Sequence, residues 1–258
     1  MIRVGIGGWS YEPWRESFYP ADLAQAKELE FASRRVTAIE INATFYRTQS
    51  AASFKKWAAA TPDDFMFSVK APRAAVQHKD LREAKESIEW FLGSGVAKLG
   101  SKLGPIFWQM APYRKFDAGE MGAYFDMLPE KLNNLPLRHA LEVRHASFGC
   151  EEFLALARAR NIAVATVESA KHPLIVEPTA DFAYARLELT QADEPTGYPK
   201  PALKKWAKTA RAWEKNGDVF LYFIAGAKER NPAAAVAMLG LLKTKYEPPA
   251  PSPAAGSA

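Results

Sequence analysis

The sequence predicts an α/β protein of the TIM (β/α)8 barrel class. Two observations support this prediction: short apolar segments alternate with segments of helical periodicity, and the alternation repeats eight times within 258 residues. Strands and helices that alternate along a compact chain form a parallel sheet, and eight such units are the number that closes into a barrel. An open doubly wound sheet is the alternative, but it seldom needs eight regular units.

Eight segments have the β-branched, aromatic and apolar composition of strands, and most are bounded by glycine, proline or polar residues. They cover residues 2–8, 38–45, 65–71, 105–111, 140–145, 162–168, 182–189 and 219–225.

Helical spacing connects several of these strands. Residues 22–36 and 80–92 repeat apolar side chains every three or four positions, and Asp80 is suited to cap the second helix. Asn231-Pro232 is a typical helix start. Residues 129–138 lack a clear helical pattern, so we expect one irregular βα connection.

The barrel accounts for residues 1–246, which contain no linker and are expected to form one domain. Residues 247–258 contain four prolines and several alanines. Such a segment buries little apolar surface, so we expect a flexible tail.

Composition and charge restrict the class of protein. A hydrophobic content of 48% excludes disorder, and the single cysteine, Cys150, excludes an internal disulfide or a cysteine-held metal cluster. No apolar run approaches the ~20 residues that span a bilayer. The first residues lack the apolar region of a signal peptide, so we expect a cytoplasmic protein without membrane partners. The sequence leaves the oligomeric state open.

Polar side chains are predicted to point into the barrel near the ends of at least six strands. Because side chains alternate between the interior and the helices, Ile39 and Ile41 on the helix side place Glu40 and Asn42 inside. The same alternation places inside Ser68, Lys70, Gln109, Glu142, Arg144, Thr166, Glu168, Arg186, Glu188 and Tyr222.

These positions predict an active site. Barrel interiors are ordinarily aliphatic, and barrel active sites lie at the carboxyl ends of the strands. Buried charges need partners, water or a ligand. A structural ion-pair network that fills the barrel is the alternative interpretation.

Each polar residue type suggests a role. Glu142, with Glu40 as a second carboxylate, is the candidate general acid or base, and Lys70 and Arg144 are expected to stabilise developing negative charge. The residues expected to bind and orient a substrate are Trp9, Asn42, Tyr46, Gln109, His145, Glu168 and Arg186.

No cofactor is predicted. The glycine-rich turn after the first strand has Ser10 where the dinucleotide-binding fingerprint requires glycine. Glu142, Glu168 and His145 have the ligand types of a divalent-metal site, and a metal-dependent isomerase or phosphoesterase-like barrel is therefore one alternative. The fixed cation of Arg144 beside them disfavours a metal, so no metal ligands are assigned.

A second alternative is a non-catalytic binder of nucleic acid or a phosphorylated ligand. The formal net charge is +5, and Lys228 and Arg230 follow the eighth strand, where barrels often bind phosphate. The sequence contains no recognised nucleic-acid-binding motif. We therefore favour a small-molecule substrate over nucleic acid as the partner.

Several motifs in order along residues 1–246 resemble the YecE-like family, a family of uncharacterised TIM-barrel proteins that share a domain of unknown function. They include Gly5-Ile-Gly-Gly-Trp-Ser-Tyr-Glu-Pro-Trp, Glu40-Ile-Asn-Ala-Thr-Phe-Tyr-Arg, Phe67-Ser-Val-Lys-Ala-Pro-Arg, Lys102-Leu-Gly-Pro and Leu141-Glu-Val-Arg-His. The resemblance implies a TIM barrel but no established reaction, substrate or cofactor. The family's motif residues correspond to Glu40, Asn42, Lys70, His78, Gln109, Glu142, Arg144 and His145, which adds His78 to the predicted binding residues.

Two segments depart from the family pattern. The seventh strand ends in Arg186-Leu-Glu-Leu where the family has an Arg-x-His-Gly-like turn, and the eighth continues as Phe223-Ile-Ala-Gly where the family has a Phe-Asn-Asn-like segment. This quadrant of the predicted site is therefore altered.

The predicted function is an enzyme without a redox cofactor that acts on a small hydroxyl-rich compound, such as a sugar or a sugar phosphate. The candidate residues suit acid/base chemistry at the carboxyl-terminal mouth of the barrel. Hydrolysis, isomerisation and elimination all fit them.

Overall fold

The structure is a computed structural model that describes residues 1–15 and 17–243. The predicted tail, residues 247–258, lies outside the described residues. The strands are β1 (Ile2–Gly7), β2 (Ala38–Ile41), β3 (Met66–Lys70), β4 (Leu103–Gln109), β5 (Lys131–Leu132), β6 (Leu135–Pro136), β7 (His139–Glu142), β8 (Ile162–Val164), β9 (Thr166–Glu168), β10 (Phe182–Leu187) and β11 (Asp218–Phe223).

Nine of these strands form one parallel sheet in the order β8-β7-β4-β3-β2-β1-β11-β10-β9. Strands β8 and β9 are the two halves of the predicted sixth strand, interrupted at Ala165. Since one half pairs with β7 and the other with β10, the sheet curls into a nearly closed barrel. This confirms the predicted TIM-barrel class, and all eight predicted segments contain strand.

The helices are α1 (Glu28–Ala32), α2 (Ala51–Ala59), α3 (Arg73–Val76), α4 (Lys85–Gly93), α5 (Ala118–Asp126), α6 (Glu151–Arg158), α7 (Lys200–Glu214) and α8 (Asn231–Leu242). The predicted helix over 22–36 is shortened to a 3-10 turn followed by α1. Asp80 caps as predicted, although its side chain accepts the amide of Arg82 in a 3-10 turn that precedes α4. Over the described ranges, none of these helices has both the length and the apolarity needed to cross a bilayer.

Two connections are irregular. Residues 129–138 contain the β5–β6 hairpin, whose turn residues Asn133 and Asn134 adopt positive φ, a conformation that asparagine tolerates. The sixth connection, residues 169–181, has no helix. Pro173 and Pro178 disfavour one, because proline lacks the amide that an internal helical bond requires.

The core has two layers, and alternation along the strands separates them. The inner cluster includes Phe107, whose ring stacks on that of Tyr184 with 5.1 Å between centroids. The outer cluster, between sheet and helices, includes Ile39, Ile41 and Leu141, as predicted.

The predicted orientation of the sixth strand is wrong. Ala163, Ala165 and Val167 belong to the inner cluster, whereas Thr166 and Glu168 point away from the barrel interior. The small alanine side chains leave the interior free for the large aromatic rings of neighbouring strands.

Gly5 in β1 is required by the close approach of β2. A Cβ atom there would lie 2.1 Å from the carbonyl oxygen of Ala38, which is backbone and cannot move alone. We expect Gly5→Ala to lower the free energy of unfolding by about 2–3 kcal/mol, measured by urea denaturation, because overpacking displaces the strand pair. Gly93→Ala is the control, since nothing lies within 4 Å of its Cβ position, and its change should stay below ~1 kcal/mol. Equal losses in both variants would contradict this explanation.

Candidate active site

Charged and polar side chains meet at the carboxyl-terminal mouth of the barrel. They come from the last or penultimate positions of five strands and are almost fully buried: Glu40 of β2, Lys70 of β3, Gln109 of β4, Glu142 of β7 and Arg186 of β10. The structure therefore brings together five of the residues that alternation predicted to point inside.

Arg186 lies at the centre of this cluster. Its Nη1 donates to Glu142 Oε2 at 2.5 Å and to Glu188 Oε1 at 3.0 Å, and its Nε lies 3.3 Å from Glu40 Oε2. The guanidinium carbon is 4.8 Å from the centroid of the Phe107 ring. Burial lowers the pKa of Arg186, but the charges of Glu142, Glu40 and Glu188 outweigh it and raise that pKa above its usual value. Arg186 thus stays charged and fixes the carboxylates around it.

Both oxygens of Glu142 are occupied. Oε2 accepts from Arg186, while Oε1 accepts from Gln109 Nε2 at 2.8 Å and from Arg144 Nε at 2.5 Å. Burial raises the pKa of Glu142, but Arg186 and Arg144 together lower it to about 2. A carboxylate this stable as an anion is poorly suited to accept a proton near neutral pH. The geometry favours an electrostatic role for Glu142 over the predicted role in proton transfer.

Glu40 is equally enclosed. Its Oε2 accepts a hydrogen bond of 2.6 Å from the hydroxyl of Tyr184, a ring inside the barrel. The same carboxylate faces Arg186. Glu40 therefore belongs to the framework that positions the arginine.

Lys70 differs from these groups because it has no carboxylate partner. Its Nζ donates to Gln109 Oε1 at 2.8 Å and lies 4.3 Å from the centroid of the Phe45 ring. Within the described ranges, no carboxylate oxygen lies within 4.0 Å of this amine. Burial, assisted by the charge of Arg186, lowers the pKa of Lys70 to about 8. Its amine is the group of the cluster whose ionisation lies near physiological pH.

The rim of the cluster is more accessible. The side chain of Arg144 is 22% exposed and that of Glu188 is 12% exposed. The partial burial of Glu188 still raises its pKa. His172, which sequence reasoning did not select, lies in the loop after β9. Its Nδ1 is buried and has no hydrogen-bond partner in the described part of the chain, and its pKa is lowered by burial and by the charge of Arg144. Periodicity could not identify His172, because its position depends on an irregular loop.

Several predicted binding residues have local partners instead. Asn42 donates to the carbonyl of Glu40 at 3.3 Å, and His78 Nε2 lies 3.0 Å from the hydroxyl of Ser87. His145 Nδ1 accepts the amide of Ser147 at 3.2 Å.

The two predicted aromatic contacts are also peripheral. Trp9 packs edge-on against Trp57 of α2, with 5.0 Å between centroids. Tyr46 is 86% exposed beside Phe45.

Glu168 is the clearest departure from the predicted site. It accepts hydrogen bonds from the hydroxyl of Tyr198 at 2.6 Å and from Trp206 Nε1 at 2.8 Å, on the helix side of the sheet. The metal-ligand set of Glu142, Glu168 and His145 is consequently not assembled. In the part of the chain that the structure describes, no group of three or more histidine, cysteine, aspartate or glutamate side chains is placed to hold a metal.

Fold and site together define a TIM-barrel protein with an ion-pair network at the carboxyl-terminal mouth of the barrel. The chain belongs to the family described as protein of unknown function DUF72, which it matches over residues 3–256. This confirms the resemblance seen in the sequence motifs.

A curated relative is the UPF0759 protein YunF of Bacillus subtilis (strain 168), 31% identical over 154 residues. The match covers 57% of this chain and 52% of YunF, so the chain spans about half the length of that relative.

Solved structures with the same fold include a DUF72 family protein from Thermotoga maritima MSB8. It has a TM-score of 0.77 and 22% identity, and the match covers 94% of this chain and 99% of that one. The barrel is also similar to D-psicose 3-epimerase from Clostridium cellulolyticum H10, with a TM-score of 0.56, 14% identity and coverage of 93% and 98%. At these identities the similarity shows the fold alone.

Proposed function

We propose that the protein is an enzyme that uses acid/base chemistry on a small hydroxyl-rich compound at the mouth of the barrel. One observation carries the proposal: Lys70, a buried amine without an ion pair to any described residue, has a pKa of about 8 and lies beside a fixed network of charges. A group that titrates near the working pH can both donate and accept a proton. Purely structural lysines ordinarily keep a carboxylate partner or reach water.

The surrounding residues divide the remaining tasks. Arg186, Glu40 and Glu142 form the rigid framework. Arg144 offers its partly exposed guanidinium to negative charge on a substrate, and Glu188, whose pKa is raised by burial, is the candidate second proton-transfer group. The proposed reaction is an isomerisation, elimination or hydrolysis.

The substrate class follows from the same features. Hydrogen-bond donors and acceptors at the mouth suit hydroxyl groups, and the partly exposed guanidinium of Arg144 suits an anion such as phosphate. D-psicose 3-epimerase, solved with D-tagatose, shows that a barrel of similar fold can bind a sugar. A sugar or sugar phosphate in the cytoplasm is therefore the proposed substrate and setting.

Nucleic acid binding is the weaker alternative. Its two candidate cations have intramolecular contacts: Lys228 Nζ lies 4.0 Å from the centroid of the Tyr11 ring, and Arg230 Nε donates to the carbonyl of Ala192 at 2.9 Å. Binding of labelled DNA or RNA that weakens with salt and with Lys228→Ala would favour this alternative over the enzyme.

The test is a panel of sugars, sugar phosphates and hydroxy acids, with products followed by NMR. We expect turnover by the wild-type protein and a loss of about 100-fold or more in kcat/KM for Lys70→Arg and for Glu188→Gln, since each removes a proton-transfer group. Arginine keeps the positive charge but does not titrate near neutral pH.

Lys56→Arg is the matched control, because Lys56 is exposed on α2 and its substitution should leave kcat/KM unchanged. Full activity in Lys70→Arg, or no turnover of any compound by the wild-type protein, would count against the proposal.

A further inference from the structure

The geometry points to a covalent role for Lys70, as a nucleophile that forms an imine with the carbonyl carbon of an aldehyde or ketone substrate. This inference rests on the proposed function, because it requires the substrate to bind at the mouth of the barrel. It narrows the substrate class to small carbonyl compounds that carry an anionic group.

The environment of the Lys70 amine favours its uncharged form. Lys70 is 8% exposed, its Nζ makes one hydrogen bond with the described residues, to Gln109, and the ring of Phe45 covers another side. Among its described neighbours no carboxylate forms an ion pair with it. Burial and the charges of Arg186 and Arg144 lower the pKa of Lys70, and they outweigh the charges of Glu40 and Glu142, which raise it. Desolvation and neighbouring cations are the two conditions that turn a lysine into a nucleophile, since both favour the free amine.

A second lysine of the chain shows the contrast. The side chain of Lys102 is also largely buried, but its Nζ donates to the carbonyls of Ala58 at 2.6 Å and Thr61 at 2.7 Å and lies 3.9 Å from Asp63. Lys102 thus has two carbonyl acceptors and a nearby carboxylate, whereas the nearest described partners of the Lys70 amine are one amide oxygen and the Phe45 ring.

Arg144 is placed to bind an anionic group of the substrate. Arg144 uses its Nε for Glu142, and the described residues provide no hydrogen-bond acceptor for its Nη1 and Nη2. Arg144 and Lys70 are connected through Glu142 Oε1 and the amide of Gln109, so both face the same mouth. A substrate bound at this mouth would place its carboxylate or phosphate at Arg144 and its carbonyl at Lys70.

The covalent step balances without a further reactant. The ammonium of Lys70 loses one proton to water in the mouth, and the free amine attacks the carbonyl carbon to form a C–N bond. A proton moves from nitrogen to oxygen to give a carbinolamine. The C–O bond then breaks, and the oxygen leaves as water after taking back one proton. The product is a protonated imine, and no oxidation or reduction occurs.

Reductive trapping tests this inference. The protein is incubated at pH 7 with sodium cyanoborohydride and one of three probes: dihydroxyacetone phosphate, hydroxypyruvate or dihydroxyacetone. Peptide mapping by mass spectrometry then locates the secondary amine. We expect the adduct on Lys70 at a rate at least about tenfold above that of exposed Lys55, because the lowered pKa of Lys70 leaves more of it as free amine at pH 7 than an ordinary lysine has.

Three variants test the roles of Lys70 and Arg144 separately. Lys70→Arg should lose the adduct, whereas Lys102→Arg should keep it at Lys70. Arg144→Gln should slow trapping of the phosphate and carboxylate probes by about tenfold more than trapping of dihydroxyacetone, since the loss of the charge at Arg144 affects the amine with all three probes but removes a charge-assisted contact only with the anionic ones. If Arg144→Gln slows trapping of one anionic probe more than trapping of the other, the more affected probe carries the anionic group that Arg144 binds.

Labelling of exposed lysines without labelling of Lys70 in the wild-type protein overturns the inference, even if the variants do not fold. Turnover that depends on Lys70 without any adduct leaves the proposed acid/base function in place and removes the imine. An adduct at Lys70 without turnover of any compound supports the imine and counts against the proposed function.

Discussion

Replacing Arg186 with methionine is expected to lower the free energy of unfolding at pH 7 by about 3–5 kcal/mol. The substitution leaves Glu40 and Glu142, both fully buried, without the cation that they share. Removing one partner of a buried ion pair is costly because the other charge stays desolvated. Urea denaturation of the two proteins at pH 7 measures the difference.

The loss should shrink as the pH falls. In the wild-type protein the pKa of Glu142 is held near 2, below its unfolded value, so its contribution persists until the solution becomes strongly acidic. In the variant Glu142 keeps Arg144 but loses Arg186, which raises its folded-state pKa. Protonation then relieves the cost of this buried carboxylate as the pH falls through the raised value. The difference in free energy of unfolding between the two proteins should therefore be smaller at pH 5 than at pH 7.

Arg158→Met is the control for loss of a guanidinium. Arg158 pairs with Glu151 on the surface, where both side chains are exposed, so its substitution should cost less than ~1 kcal/mol at either pH. If Arg186→Met also lowered the free energy of unfolding by less than ~1 kcal/mol, or by an amount that does not change with pH, the network would contribute little to stability.

The residues whose inward orientation the sequence predicted correctly lie on strands in which polar and aliphatic side chains alternate clearly. In β2 and β7 one face is aliphatic, as Ile39, Ile41 and Leu141 show, so the acidic residues between them had to face the interior. Because parallel strands end on the same side of the barrel, these residues also had to meet at one mouth.

The sixth strand shows where this reasoning fails. Both faces of residues 162–168 carry apolar side chains, so polarity alone did not decide the orientation of Glu168. The deciding factors are the space that Ala163 and Ala165 leave inside the barrel and the hydrogen bonds that Tyr198 and Trp206 donate to Glu168. Those partners lie 30 and 38 positions along the chain, beyond the reach of a local pattern.

Loop residues were predictable only as a class. Trp9 follows a strand at the mouth, as a stacking residue would, yet its ring packs against Trp57 and Phe67. His172 is not part of a periodic pattern, but it lies close enough to Arg144 and Glu142 for their charges to shift its pKa. In both cases tertiary packing of an irregular segment, which sequence spacing does not encode, determines the position.

Replacing Lys70 with methionine is expected to stabilise the protein by about 1–3 kcal/mol at pH 7 while it abolishes turnover. Lowering the pKa of Lys70 from 10.5 to about 8 means that the folded protein holds this proton less tightly than the unfolded chain. The corresponding penalty is about 3 kcal/mol at most, and the lost hydrogen bond to Gln109 offsets part of the gain.

The penalty is complete below pH 8 and disappears as the pH rises toward 10.5, so the stability curves of the variant and the wild-type protein should converge in that range. Urea denaturation at several pH values, compared between variant and wild type, measures this convergence.

Lys102→Met separates this effect from the general removal of a buried lysine. Lys102 donates to the partly buried carbonyls of Ala58 and Thr61, so its substitution removes both hydrogen bonds and should destabilise the protein by about 1–3 kcal/mol. Opposite signs for the two lysines would show that Lys70 is retained at a cost to stability, as expected of a residue kept for its chemistry. Destabilisation by Lys70→Met at pH 7 that does not vary up to pH 10.5 would instead assign Lys70 to the structural network.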